Sequence, residues 1–268
     1  MIDVHCHLNF HSFENDFDEV IKRAHESGVE KIINVGTSLE SSQKAVELAK
    51  NYENLYSIVG IHPHHADKLE SGWEKELETI AKNKKVLAIG EIGLDYFSYK
   101  SNGIVNPSLQ KKIFETQIQM AHKLKLPLQI HNRQAGKDIL EILKSHKNIL
   151  KETPGMFHCF AGEIKILKTA LALGFYIGFD GNITYNGIAP GENTSLKDLV
   201  GYTPLERIVT ETDAPFLTPI PKRGSRNEPS YVIIVGETIA KIKNTSFSEV
   251  DKITTQNAMS LFKLNAMR

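Results

Sequence analysis

Short apolar runs alternate with longer amphipathic stretches through the whole chain, and this alternation limits the possible folds more than any other feature. Strands are expected at 1–8, 31–37, 55–62, 86–94, 128–132, 155–160, 175–181 and 207–213. Helical periodicity fills the gaps at 15–27, 39–51, 73–82, 108–125, 134–147, 163–173 and 196–202, with two further periodic segments at 230–243 and 248–264. The clearest case is 108–125, where Leu109, Ile113, Phe114, Gln117, Met120, Ala121 and Leu124 recur at helical intervals. Gly28, Pro127 and Gly174 punctuate helix ends. Strict alternation implies right-handed βαβ units and a parallel sheet. Eight repeats in 268 residues suit a single-domain (β/α)8 TIM barrel, for which about 250 residues is typical. An open doubly wound sheet would carry a glycine fingerprint after its first strand, and H-C-H-L-N-F-H at 5–11 offers none.

Composition removes several classes of function. With 24% charged and 41% hydrophobic residues, the chain has ordinary globular usage, which argues against both disorder and membrane spanning. Its 32 basic and 32 acidic residues cancel, so no protein-wide basic field exists to coat nucleic acid, and only local patches can attract phosphate. Cys6 and Cys159 are too few for a disulfide framework. They point to a reducing, cytoplasmic setting, in keeping with the lack of a signal-peptide pattern at the N-terminus.

In a barrel of this kind the active site lies at the C-terminal ends of the strands, and the polar residues unusual for strands gather there. His5 and His7 are two apart, so on a strand both imidazoles share one face while Val4 and Cys6 take the other. Convergent neutral imidazoles suit a divalent metal ion. The third strand ends in G-I-H-P-H-H, the fourth carries G-E-I-G-L-D-Y, the fifth ends in Q-I-H-N-R, the sixth in F-H-C-F-A-G and the eighth in V-T-E-T-D-A-P. Taken singly, Glu91 or Asp213 could form a strand-end salt bridge, and His131 or His158 could be a hydrogen-bonded core histidine. Six such coincidences on separate strands are hard to reconcile with that explanation.

These motifs, in this order, resemble the TatD-type metal-dependent deoxyribonucleases of the amidohydrolase superfamily. The resemblance runs through D-V-H-C-H-L, G-I-H-P-H, G-E-I-G-L-D-Y, L-P-L-Q-I-H-N-R, H-C-F-A-G, E-T-D-A-P-F-L-T-P and R-N-E-P, and covers almost the whole chain. It implies a site for two divalent cations. One would be held by His5, His7 and Asp213, the other by His131 and His158, with Glu91 bridging. The chemistry is consistent with that division, because two close cations repel and need an anion between them. Mixed imidazole and carboxylate ligation suits Zn²⁺ or Mn²⁺ better than Mg²⁺, although family members are commonly described with Mg²⁺.

The implied reaction is metal-assisted hydrolysis of a phosphodiester, with Asp213 as general base and Glu91 as the second catalytic carboxylate. His62 and His64 share a predicted strand face, as do His131 and Arg133. His62, His64, Arg133 and Arg223 are the candidates for gripping substrate phosphate, and a guanidinium offers it a bidentate fork. The alternative for either arginine is a structural ion pair. Asp95 and Glu211 are expected to orient ligands. His11, His25, His65, His122 and His146 read as solvated surface, and Cys159 as core packing. Asn9 departs from the family's Asp, and the segments 97–107 and 186–193 depart in length or glycine content, which bears on specificity. The expected substrate is DNA, entered at a chain end, with no obligate protein partner. Rival readings are another hydrolase of the superfamily, acting on an ester, amide or small cyclic substrate, or a non-enzymatic metal-binding protein.

Overall fold

The computed structural model describes residues 1–99 and 103–264. Part of the 97–107 segment, residues 100–102, therefore lies outside the described residues. Eight parallel strands form one sheet in sequential order: β1 (Ile2–Cys6), β2 (Lys31–Val35), β3 (Leu55–Val59), β4 (Val86–Asp95), β5 (Leu128–Arg133), β6 (Gly155–Phe157), β7 (Tyr176–Phe179) and β8 (Ile208–Thr210). Past the end of β8 a parallel bridge pairs Cys6 with Ala214, bringing the last strand back to the first. Helices α1 (Phe17–Glu26), α2 (Leu39–Lys50), α3 (Trp73–Ala81), α4 (Pro107–Leu124), α5 (Gly136–Ser145), α6 (Ile164–Ala172) and α7 (Leu196–Tyr202) connect successive strands. Two more, α8 (Val232–Lys243) and α9 (Phe247–Phe262), follow β8. This is the (β/α)8 TIM barrel expected from the alternation.

Local chemistry sets the helix ends. Asn106 accepts from the amides of Ser108 and Leu109, Pro107 occupies the first turn, and α4 stops where Lys125 turns left-handed at φ 57°. Ser38 caps α2 and Ser246 caps α9 in the same way. Val4, Val35, Ile58, Ala88, Met156 and Val209 belong to one apolar cluster although they come from six strands. Side chains of non-adjacent strands meet only across the barrel interior, so this cluster is its filling. Ala258, Leu261, Phe262 and Leu264 join the same cluster and close the end where the strands begin.

Several strands are shorter than the sequence suggests, and the differences matter at the mouth. A register shift between Asp3 and Cys6 interrupts the β1 ladder. As a result Val4 joins the interior cluster while Cys6 packs with α1, so these two do not share a face as simple alternation requires. β3 ends at Val59, and 63–68 form a 3-10 helix, so His62 and His64 do not stand on a strand. β8 ends at Thr210, and Asp213 is left-handed at φ 55°. On β4 the ladder skips from Ile89 to Ile92. Gly93, at φ 145°, lies so close to the carbonyl of His131 that a Cβ there would collide with it. Glycine at that position lets β4 and β5 approach between Glu91 and Asp95.

The segment after β8 is held from behind by the R-N-E-P stretch. Arg226 binds both oxygens of Asp16 at 2.8 and 2.6 Å, and Glu228 accepts from Arg23 at 2.7 Å. Asn227 is fully buried. Its amide nitrogen donates to the carbonyls of Thr212 (2.8 Å) and Phe216 (2.6 Å), which bracket Asp213. Asn227→Ala strips the donor from both carbonyls, and leaving such groups unpaired costs about 1–3 kcal/mol each. The urea unfolding midpoint should drop by the equivalent of about 2 kcal/mol or more with an unaltered slope. An unmoved midpoint would mean that Asn227 does not hold this segment.

Candidate metal centre

Seven side chains from six places in the chain meet at the mouth. His5 and His7 leave the end of β1 with their Nε2 atoms 3.1 Å apart. Asp213 Oδ1 stands 3.6 Å from His5 Nε2 and 3.4 Å from His7 Nε2. Backbone pairing fixes this trio, because the Asp213 amide donates to the His5 carbonyl (2.9 Å) and the His7 amide to the Ala214 carbonyl (2.7 Å). The seam that closes the barrel is thus also the frame of the first cluster.

Glu91 lies between two sets of imidazoles. Its Oε2 is 3.6 Å from His5 and 3.8 Å from His7, while its Oε1 is 2.7 Å from His131 Nδ1, 3.6 Å from His158 and 3.5 Å from His62. The donor set fits a cation on its own geometry. Ligand atoms placed about 2.1 Å from a tetrahedral metal are roughly 3.4 Å from one another. The His5, His7 and Asp213 nitrogens and oxygen are spaced 3.1–3.6 Å apart, a spacing that suits shared coordination. His5, His7 and Asp213 form one group able to hold a metal ion, and Glu91, His131 and His158 form another. His62, Asp95 and His131 are grouped as closely, as are His5, His158 and Glu211.

Asp95 and Glu211 orient histidines, though not through the neighbours that their sequence spacing suggests. Asp95 Oδ2 accepts from His131 Nε2 (3.1 Å), His64 Nε2 (3.0 Å) and the Tyr99 hydroxyl (3.1 Å). Glu211 Oε1 sits 3.2 Å from His158 Nδ1 and accepts from the Cys159 amide at 2.5 Å. Asp95 therefore bonds the ring of His131 on β5, and Glu211 faces the ring of His158 just past β6. His62 and His64 reach the site from the 3-10 turn, which replaces the expected strand face.

The two arginines diverge. Arg133 lies over the Phe97 ring at 5.0 Å, and its Nε is buried without a partner. Arg223 is exposed and stacks on Tyr185 at 4.0 Å, outside the imidazole cluster. Neither makes a salt bridge among the described residues. Cys159 is not core packing: it is half-buried, left-handed at φ 44°, and its sulfur accepts from Asn182 at 3.4 Å. β6 has ended at Phe157, so strand alternation does not govern it. His65 is also not free surface, since it is half-buried and lines a cleft beside Phe10 and Phe216.

Sequence reasoning missed Asp3 and Asp180. Asp3 is fully buried, accepts from the Thr212 hydroxyl at 2.6 Å, and ties β1 to the segment carrying Asp213. Burial raises its pKa well above the usual carboxylate range. Asp180, buried at the end of β7, is pushed up to about 8 by burial and by the charges of Glu211 and Asp213. Its place directly after the F-Y-I-G-F run was the available signal, since the strand-end rule covers it.

The charges of the ring interlock. Burial opposes the ionised form of Glu91, but His62, His158 and His131 together hold its pKa well below the usual range. Burial and the charge of His158 push His5 down, and burial with His131 does the same for His62. For His131, burial works against protonation, yet hydrogen bonds from both ring nitrogens to Asp95 and Glu91 raise it to about 9. His158 likewise rises to about 10 against burial, through Glu211 and Glu91. Both folded values exceed the unfolded value of about 6.5. Their stabilisation of the metal-free protein is therefore complete below about pH 6.5 and is lost as pH climbs through 9 to 10. A metal ion ligated by His131 and His158 would displace those protons, so binding of Zn²⁺ or Mn²⁺ at pH 7.5 should release about two protons. Affinity should also strengthen as pH rises toward 9. Calorimetry in buffers of different ionisation enthalpy reads the release directly, and a value near zero would contradict this protonation pattern.

Comparison with known proteins agrees with this geometry. A family model described as TatD related DNase matches residues 2–263. A Bacillus subtilis (strain 168) protein named as an uncharacterized metal-dependent hydrolase is 40% identical over 99% of this chain and 100% of its own length. A Salmonella typhimurium protein named 3'-5' ssDNA/RNA exonuclease TatD is 32% identical over 98% of this chain and 99% of its own. Among solved structures, a TatD homologue from Escherichia coli K12 superposes with a TM-score of 0.88 at 29% identity, covering 98% of both chains. With the family model spanning nearly the full sequence and its relatives aligned end to end, the chain belongs to the TatD related DNase family.

Proposed function

We propose that the protein is a divalent-metal-dependent hydrolase that cleaves phosphodiester bonds of DNA from a strand end, using two cations. One cation is held by His5, His7 and Asp213, the other by His131 and His158, with Glu91 between them. The division of Glu91 carries this reading. One oxygen serves the β1 histidines and the other serves His131 and His158, as an anion between two like charges requires. When bound, such a pair of ions activates water at neutral pH and stabilises charge growing on phosphoryl oxygens.

The chain's own residues do the rest. Asp213 is the general base. Its carboxylate is 14% exposed and faces both β1 histidines, so it can take a proton from a water entering the mouth. Asp95 holds His131, and Glu211 holds His158, in the ring orientations that aim one nitrogen at Glu91. His62, His64 and Arg133 grip the substrate phosphate, and Arg223 on Tyr185 meets the strand farther out. Zero net charge and a recessed cluster favour a threaded strand end over a coated duplex, and the Salmonella relative is named for that activity. The two free cysteines suit a reducing, cytoplasmic setting. No helix among the described residues is long and apolar enough to cross a membrane.

Incubation with Mg²⁺, Mn²⁺ or Zn²⁺ and end-labelled single-stranded and duplex DNA should shorten the labelled strand stepwise. Intact DNA under all three metals, together with turnover of an amide or a simple carboxylic ester, would assign the site to another chemistry. Asp213→Asn separates ligation from base catalysis: at full metal occupancy its rate should stay about 10² to 10⁴ below wild type. Full recovery of rate at full occupancy would remove Asp213 from the base role. Glu91→Gln should weaken both metal sites together, as read by metal analysis after dialysis. Loss of only one metal would show that Glu91 does not bridge.

A further inference from the structure

We propose that Phe10 and Phe216 form a stacking platform for an unpaired nucleobase next to the scissile phosphate, so that the enzyme selects single strands by base stacking. For its substrate class the platform rests on the nuclease reading above. The geometry ties it directly to the metal-binding cluster. Phe10 lies face to face on His7, with ring centroids 4.4 Å apart and planes inclined by 11°. Phe216 meets Phe10 edge-on at 6.2 Å and His7 at 6.4 Å. The His7 ring is itself fixed, since its Nδ1 bonds the Val35 carbonyl at 2.9 Å while Nε2 faces Asp213. A ring stacked here is separated from the proposed ligands by one aromatic layer.

Phe216 is 51% exposed. Its backbone is nonetheless pinned: its amide donates to the Asp213 carbonyl at 2.8 Å, and its own carbonyl accepts from Asn227 at 2.6 Å. The side chain is thus presented by a held segment three residues from Asp213. Beside the pair opens a cleft of about 540 Å³ that also touches Asn9, Ser38 and Ser41, within the roughly 300–1,000 Å³ range of small-ligand sites. The Asn9 amide nitrogen, Ser38 and Ser41 are engaged with one another, while Asn9 Oδ1 is buried without a partner. Asn9 donates to the Ser41 carbonyl and hydroxyl, and the Ser38 hydroxyl caps the Ser41 amide. The two rings themselves offer only π-faces and edges, so the stacking contribution should tolerate any base. A base in the interior of a duplex, stacked on both sides, cannot offer that face.

The test uses single-stranded oligonucleotides carrying 2-aminopurine beside the terminal linkage, made resistant to cleavage by phosphorothioate, with the full-length protein and Mn²⁺. Wild type should quench 2-aminopurine fluorescence. Phe216→Ala should abolish the quenching and weaken binding by about 5- to 150-fold, the usual value of a base–aromatic stack. Phe216→Trp should preserve both, whereas Phe216→Leu, which keeps bulk without a π-face, should behave like Ala. An abasic residue at the probe position should lower wild-type affinity by the same factor and leave Phe216→Ala with no further loss. Phe10→Ala provides a second variant on the same readout. Undiminished affinity and quenching in both Ala variants would overturn the platform, as would cleavage of natural strands by wild type with no quenching. Quenching lost in Phe216→Ala, in a wild type that cleaves no DNA, would support the platform and defeat the nuclease reading alone. Failure to bind any strand would defeat both.

Discussion

The structure depends on the seam where the last strand returns to the first. A parallel barrel exists only when its edges pair, and here the closing bonds run between residues 3–7 and 212–214. The Thr212 hydroxyl donates to Asp3, the Asp213 amide to the His5 carbonyl, and the His7 amide to the Ala214 carbonyl. The same bonds remove two edges from solvent and bring Asp213 against His5 and His7. Ring closure and the meeting of His5, His7 and Asp213 are therefore set by the same bonds.

The second constraint is electrostatic. Glu91, Asp95 and Glu211 are all almost fully buried within a few ångströms of histidines. Isolated carboxylates in such surroundings would be strongly disfavoured, and paired ones are tolerated only with close, well-oriented partners. The carboxylates raise the pKa of His131 to about 9 and of His158 to about 10, so without a cation protonated imidazoles would be their partners near neutral pH. A cation exchanged for those protons keeps the balance of charge while freeing imidazole lone pairs to bind it. The architecture that raises these histidines is the same one that would receive a divalent ion.

Rigidity around the mouth comes from outside the cluster. Asn227 grips the carbonyls on either side of Asp213, while Arg226 and Glu228 fasten the same segment to Asp16 and Arg23 at α1. The clamp spans more than two hundred residues of sequence, yet each contact is short and directional. It holds both the segment carrying Asp213 and the half-exposed ring of Phe216, so the proposed base and the proposed stacking surface share one support.

The sequence by itself determined the eightfold alternation, and with it the barrel, because hydrophobic period is a local property that each segment carries alone. It also marked His5, His7, Glu91, His131, His158 and Asp213, since polar residues at the ends of apolar strands are conspicuous against a barrel's anatomy. Which residue touches which was decided only by the tertiary structure. Asp95 serves His131 across two strands, and Glu211 serves His158, because the ladder slips in β4 and β8 stops at Thr210. Period-two reasoning fails wherever a bulge or an early strand end breaks the count. That is why His62 and His64 arrive from a 3-10 turn, why Val4 and Cys6 part company, and why Cys159 faces Asn182 and not the core. Burial likewise belongs to the folded chain: Asp3 and Asp180 are ordinary acidic residues in the sequence, and become buried groups with raised pKa values only when the surrounding strands exclude water from them.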